Sequence, residues 1–139
     1  MATIAHRTPT DRRTLKEMAR EALAAAGYRD LDDDVRIGPG VTVSARGRGP
    51  DGVERLFEFA GVNTPARPGV ARIETVWRTI AKAAVAGEVH PDTDFVVLTC
   101  GTVRGGPLAA VTGDDAPIRA IVDLARPDAV ERLIRLDGR

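Results

Sequence analysis

The chain reads as an α/β domain, one mixed β-sheet flanked by helices, and three observations predict it. Two segments carry apolar residues at three- and four-residue spacings, the mark of helices with one buried face. Between them lie short runs alternating with period two, joined by glycine-rich turns, which predicts an antiparallel meander. A continuous apolar run at 95–100 then predicts a strand covered on both faces.

Thr8-Pro9-Thr10-Asp11 offers helix-capping residues, and Leu15, Met18, Ala19, Ala22, Leu23 and Ala26 form the apolar stripe of the helix that follows. Gly27 ends it. Asp30-Leu31-Asp32-Asp33-Asp34 lacks the oxygen spacing and central glycine of a calcium loop and reads as a solvated, charged turn. Strands are expected at 35–37, 41–46 and 53–60, separated by Gly38-Pro39-Gly40 and by the 47–52 turn. On the second, Val41, Val43 and Ala45 share an apolar face opposite Thr42, Ser44 and Arg46.

After a loop holding Pro65 and Pro68, a helix is expected over 70–86. Its apolar stripe is Val70, Ile73, Trp77, Ile80 and Ala84, with Trp77 as a core anchor. The strand at 95–100 leads into a glycine-rich loop (101–113), a last strand at 118–124, and a terminal helix opened by Pro127. Ala129, Val130, Leu133, Ile134 and Leu136 form that helix's apolar side. The expected organisation is an N-terminal arm (1–10) and one domain (11–139), since 139 residues suffice for a single core.

Composition narrows function. Twenty basic and 20 acidic side chains balance to zero net charge, which excludes a polycation but permits a local basic face. The one cysteine, Cys100, excludes a disulfide framework and a thiolate metal site, and reads as a buried, inert thiol. No run is long and apolar enough for a membrane span and no signal-peptide core is visible, so a soluble cytoplasmic protein is expected. Gly101-Thr102-Val103-Arg104-Gly105-Gly106 lacks the Lys-Ser/Thr ending of a phosphate loop and reads as loop punctuation.

Glu58 is the residue that calls for chemistry. Strand parity sets it with Leu56 on one face of the third strand, opposite Arg55, Phe57 and Phe59, and Ser44 faces the same side if the meander pairs regularly. A carboxylate among apolar neighbours needs a cation, an arginine or a proton.

The segment 56–61 (Leu-Phe-Glu-Phe-Ala-Gly), then Arg67-Pro68-Gly69, then 72–78 (Arg-Ile-Glu-Thr-Val-Trp-Arg) resembles small actinobacterial members of the PD-(D/E)xK, restriction-endonuclease-like superfamily. The order helix, three strands, helix, strand resembles that family's core. The resemblance implies a nucleic-acid-related protein, a Mg²⁺-dependent phosphodiester hydrolase with a degenerate site. In that reading Glu58 is the third-strand acid, Lys82 the lysine supplied from the next helix, and Glu17 or Glu21 the acid of the first helix. Ser44 or Thr42 stands where the second-strand Asp belongs, so Glu58 and Ser44 make up the implied metal position, and Ala60 stands where the motif lysine belongs.

Two alternatives remain open beside nuclease activity. A non-catalytic module of the same fold would engage DNA or RNA phosphates through Arg46, Arg48, Arg67, Arg72 and Arg78, with or without a partner protein. An oligomerisation module would pair as a homodimer through the apolar run near Phe95 and the last helix. Glu58 itself could instead be a structural ion pair with Arg46, Arg72 or Arg78.

Overall fold

The computed structural model describes residues 13–61, 70–101 and 106–136; the expected N-terminal arm lies outside them. The elements run α1 (Leu15–Ala25), β1 (Arg29–Gly38), β2 (Val41–Arg48), β3 (Glu54–Phe59), α2 (Val70–Val89), β4 (Asp94–Thr99), α3 (Gly106–Ala110), β5 (Ala120–Asp123) and α4 (Ala129–Ile134). The five strands form one sheet in sequence order, β1-β2-β3-β4-β5. The first three are antiparallel neighbours, whereas β3, β4 and β5 run parallel. The expected mixed sheet flanked by helices is the architecture observed.

Both faces of the sheet are covered, which is why β4 reads as an unbroken apolar run. Met18, Ala22 and Leu23 of α1 and Ala129, Val130 and Leu133 of α4 pack on Phe57, Val96, Leu98 and Val122. Ala83 and Ala86 of α2 and Leu108 of α3 pack on Val43, Leu56, Phe95 and Val97. Phe95 and Leu133 are fully enclosed, so the dimer face expected around the 95–100 run and the last helix is instead core; in α4 only Ile134 turns out to solvent among its large apolar side chains.

Four local expectations are corrected. The acidic run 30–34 is strand, not a turn: Asp32 and Asp33 sit opposite Arg46 and Ala45 on β2. Asp30 (φ 55°) and Asp34 (φ 50°) take left-handed backbone, which aspartate tolerates, and the register shifts beside Asp30. A charged, kinked outer strand also discourages edge-to-edge pairing with other chains. The cap of α1 is Thr14, whose hydroxyl accepts from the Glu17 N–H at 3.1 Å while Glu17 accepts from the Thr14 N–H at 3.0 Å. The glycine-rich 101–113 stretch contains the short helix α3.

The fourth correction concerns α2. Ala83, Ala86 and Thr79 are its buried residues, with Val76 and Ile80 partly covered beside them. The expected stripe lies well round the cylinder from that face, and Trp77 and Ile73 are each 56% exposed. Trp77 is therefore a surface residue, not a core anchor.

Candidate functional site

β2 and β3 separate at one point, and the candidate site fills the gap. Their ladder runs Arg48↔Glu54, Gly47↔Arg55, Arg46↔Leu56, Ala45↔Phe57. The next position would pair Ser44 with Glu58, and there side chains take over from the backbone. The Glu58 Oε1 accepts the Ser44 N–H at 3.0 Å and the Ser44 hydroxyl at 3.1 Å. The Ser44 Oγ in turn accepts the Phe59 N–H at 2.9 Å.

The same point divides β2 between the two layers. Val41 and Val43 belong to the α2 side, whereas Ala45 joins Phe57 on the α1 side, so the single apolar face expected for 41–45 does not exist. The chain turns over at Ser44, and a small hydroxyl residue with two hydrogen-bonding modes suits such a crossing.

The other Glu58 oxygen, Oε2, accepts from the Lys82 Nζ at 2.7 Å. The pair is enclosed: side-chain exposure is 10% for Glu58 and 22% for Lys82. Lys82 reaches the carboxylate from the fourth turn of α2, which crosses this face of the sheet. Glu58 is thus an ion pair, but with Lys82 rather than with Arg46, Arg72 or Arg78. An amide, a hydroxyl and an ammonium all donate to one carboxylate, so the charge is compensated where desolvation would otherwise penalise it.

Three of the residues singled out from the sequence, Glu58, Lys82 and Ser44, therefore meet at one place. Glu17 and Glu21 do not join them. Both lie on α1, which packs on the opposite layer; Glu17 closes its own helix cap and Glu21 pairs with Arg13 at 2.8 Å. Arg46 is engaged by Asp32 at 2.7 Å and Glu54 at 3.8 Å, and the Asp32 hydrogen bond holds its pKa above the ordinary guanidinium value. Arg48 donates to the Gly52 carbonyl at 2.9 Å and is exposed. Arg78 is exposed on α2, while Arg67 and the Arg72 side chain lie outside the described residues.

The donor set at the fork does not suit Mg²⁺. A hard cation of this size keeps several waters in octahedral array and is held by one or two carboxylates whose oxygens are free to bind it. Here one carboxylate is present, both its oxygens are already used, and an ammonium stands against it. Among the described residues no group of three His, Cys, Asp or Glu side chains could hold a metal ion.

A second buried charge escaped the sequence reading. Arg55, 2% exposed, bonds to Asp51 at 2.8 and 3.2 Å, to Asp94 at 3.4 Å and to the Tyr28 hydroxyl at 3.2 Å. Tyr28 donates onward to the Leu133 carbonyl at 3.0 Å and meets Phe57 edge-on. Burial works against the Arg55 charge, yet the bonds to Asp51 and Tyr28 raise its pKa. Hydrogen bonding from Arg55 holds the Asp51 carboxyl below its usual range. The cluster ties β3, β4, the 49–53 turn and α4 together. The only sequence signal was an arginine between strand residues that must face inward.

Comparison with protein-family models, curated proteins and solved structures finds no match for this chain. The site must be judged on its own geometry. Among the described residues no helix is long and apolar enough to cross a membrane.

Proposed function

We propose that this chain is a restriction-endonuclease-like module that binds nucleic acid without cleaving it, its metal position replaced by the Glu58–Lys82 ion pair. The observation that carries the reading is the engagement of both Glu58 oxygens. They accept from Ser44 and Lys82 at 2.7–3.1 Å, so a divalent cation would have to displace the ammonium that already compensates the carboxylate. The helix, three-strand meander, crossover helix and parallel strand support the fold assignment. The exposed Arg48 and Arg78 are the basic groups it would offer to a phosphate backbone, and a chain of zero net charge then binds through a few local contacts.

The test is fluorescence anisotropy with labelled single- and double-stranded DNA and RNA over a salt series, with the same oligonucleotides incubated with Mg²⁺ or Mn²⁺. Expected are binding that weakens steeply as salt rises, since phosphate contacts release counterions, and intact oligonucleotides. Loss of affinity in Arg48→Ala and Arg78→Ala would accompany it. Affinity that ignores salt, or no binding at low salt, overturns the reading.

Cleavage of the Mg²⁺- or Mn²⁺-treated oligonucleotides that Glu58→Ala abolishes would overturn this reading in favour of metal-dependent hydrolysis.

A further inference from the structure

We propose that the cavity between α4 and the 114–120 segment binds a small molecule through its phosphate or carboxylate group, held by Arg119, Arg132 and Arg135. The cavity encloses about 370 Å³ and lies at the edge of the sheet, where β5 begins. Residues 128, 131, 132 and 135 recur at three- and four-residue spacings and share the side of α4 that lines it. Arg119 lines it from the start of β5. None of these residues belongs to the Glu58 fork or to the Arg48 and Arg78 contacts, so the inference stands apart from the proposed nucleic-acid role.

Arg119 is the residue that asks for an anion. Its side chain is 11% exposed, so its charge is largely withdrawn from water. Nη2 donates to the Leu136 carbonyl at 2.7 Å and Nη1 to Asp114 at 3.1 Å, but Nε is buried with no acceptor among the described residues. Two carboxylates stand near, and neither compensates it fully. Asp94 lies 4.0 Å from Nε and already accepts from Arg55 at 3.4 Å, while Asp114 is 62% exposed and therefore screened by water. Arg132 and Arg135 add two exposed guanidiniums, three residues apart, that form no ion pair among the described residues. Like charges so placed repel each other. Of the acids in the lining, Asp114 is engaged by Arg119 and Asp128 by Arg126 at 3.5 Å, which leaves Glu131 uncommitted against two arginines. The uncommitted charge is therefore positive, and guanidinium forks match the paired oxygens of a phosphate or carboxylate.

Nuclear magnetic resonance of the ¹⁵N-labelled 139-residue chain, titrated with inorganic phosphate or succinate at fixed ionic strength against chloride, tests it. Expected are saturable shifts of the Nε–H signals of Arg119, Arg132 and Arg135 and of backbone amides within 114–120 and 131–136. Chloride should produce none. Saturation by phosphate alone would assign a phosphate-bearing ligand, and by succinate alone a dicarboxylate. Arg132→Gln combined with Arg135→Gln should weaken binding at least about tenfold, the loss of charge-assisted hydrogen bonds. Far-UV circular dichroism should stay unchanged, since both side chains are exposed. Glu131→Gln should tighten binding about two- to fivefold, the effect of removing one exposed charge that opposes the anion. Shifts that grow linearly with both ions, that match those in chloride, or that survive the double arginine variant each overturn the proposal.

Discussion

Glu58 shows how one residue can be legible in type and misjudged in partner. A carboxylate on the inner face of a strand had to be compensated, and alternation along β3 was enough to say which face it occupies. Alternation could not name the partner, which depends on the rotation of α2 above the sheet. That rotation aims Lys82, the lysine the family resemblance assigned to this site, at the carboxylate, and not an arginine. Breaking such an enclosed pair from one side leaves an uncompensated charge. Lys82→Ala is expected to cost about 3 kcal/mol in urea unfolding, and Glu58→Gln less, since the Lys82 stem can carry its ammonium toward solvent. The double variant Glu58→Gln/Lys82→Met should recover a good part of the loss. Costs that simply add in the double variant would show that the two side chains do not depend on each other.

At the scale of elements, α2 carries the main reversal. Its sequence holds two candidate apolar faces, one bulky through Ile73, Trp77 and Ile80, and one of smaller residues through Val76, Thr79, Ala83 and Ala86. The tighter approach to the sheet selects the small face, where Ala83 and Ala86 are wholly enclosed. Thr79 turns its hydroxyl back to the Thr75 carbonyl at 2.7 Å and so buries without an unmet donor. Ala83→Leu should therefore overpack the layer and lower stability by about 1–3 kcal/mol. Trp77→Lys should change the monomer's stability by no more than about 0.5 kcal/mol, as surface substitutions do. Thermal melts at low protein concentration compare the two; a larger loss for the tryptophan variant would reverse the assignment of faces. β1 teaches a related lesson: its aspartates look like linker, but charged residues are common on an outer strand whose partners include Arg20 and Arg46.

For the whole molecule, one sheet serves two cores. Leu133 under α4 and Leu108 under α3 lie in different layers, yet neighbouring residues of β4 alternate between them. Neither layer can be lost without removing the support of the other. Leu133→Ala and Leu108→Ala should each lower the same single cooperative transition by about 2–5 kcal/mol. Two resolved transitions in either variant, by calorimetry and near-UV circular dichroism together, would mean the layers unfold separately. The Arg55 cluster strengthens this coupling, since it binds carboxylates from the turn before β3 and the start of β4 and, through Tyr28, the Leu133 backbone carbonyl of α4.

Local periodicity was enough to set the class of fold, the stripe of α1, the three-strand meander and the buried β4, because each depends on residues adjacent along the chain. Tertiary structure alone decided that β2 changes layers at Ser44, that Arg55 is buried, and that Trp77 faces outward. Each of these turns on how elements distant in sequence are rotated and spaced against one another, and that is fixed only when both faces of the sheet are packed at once.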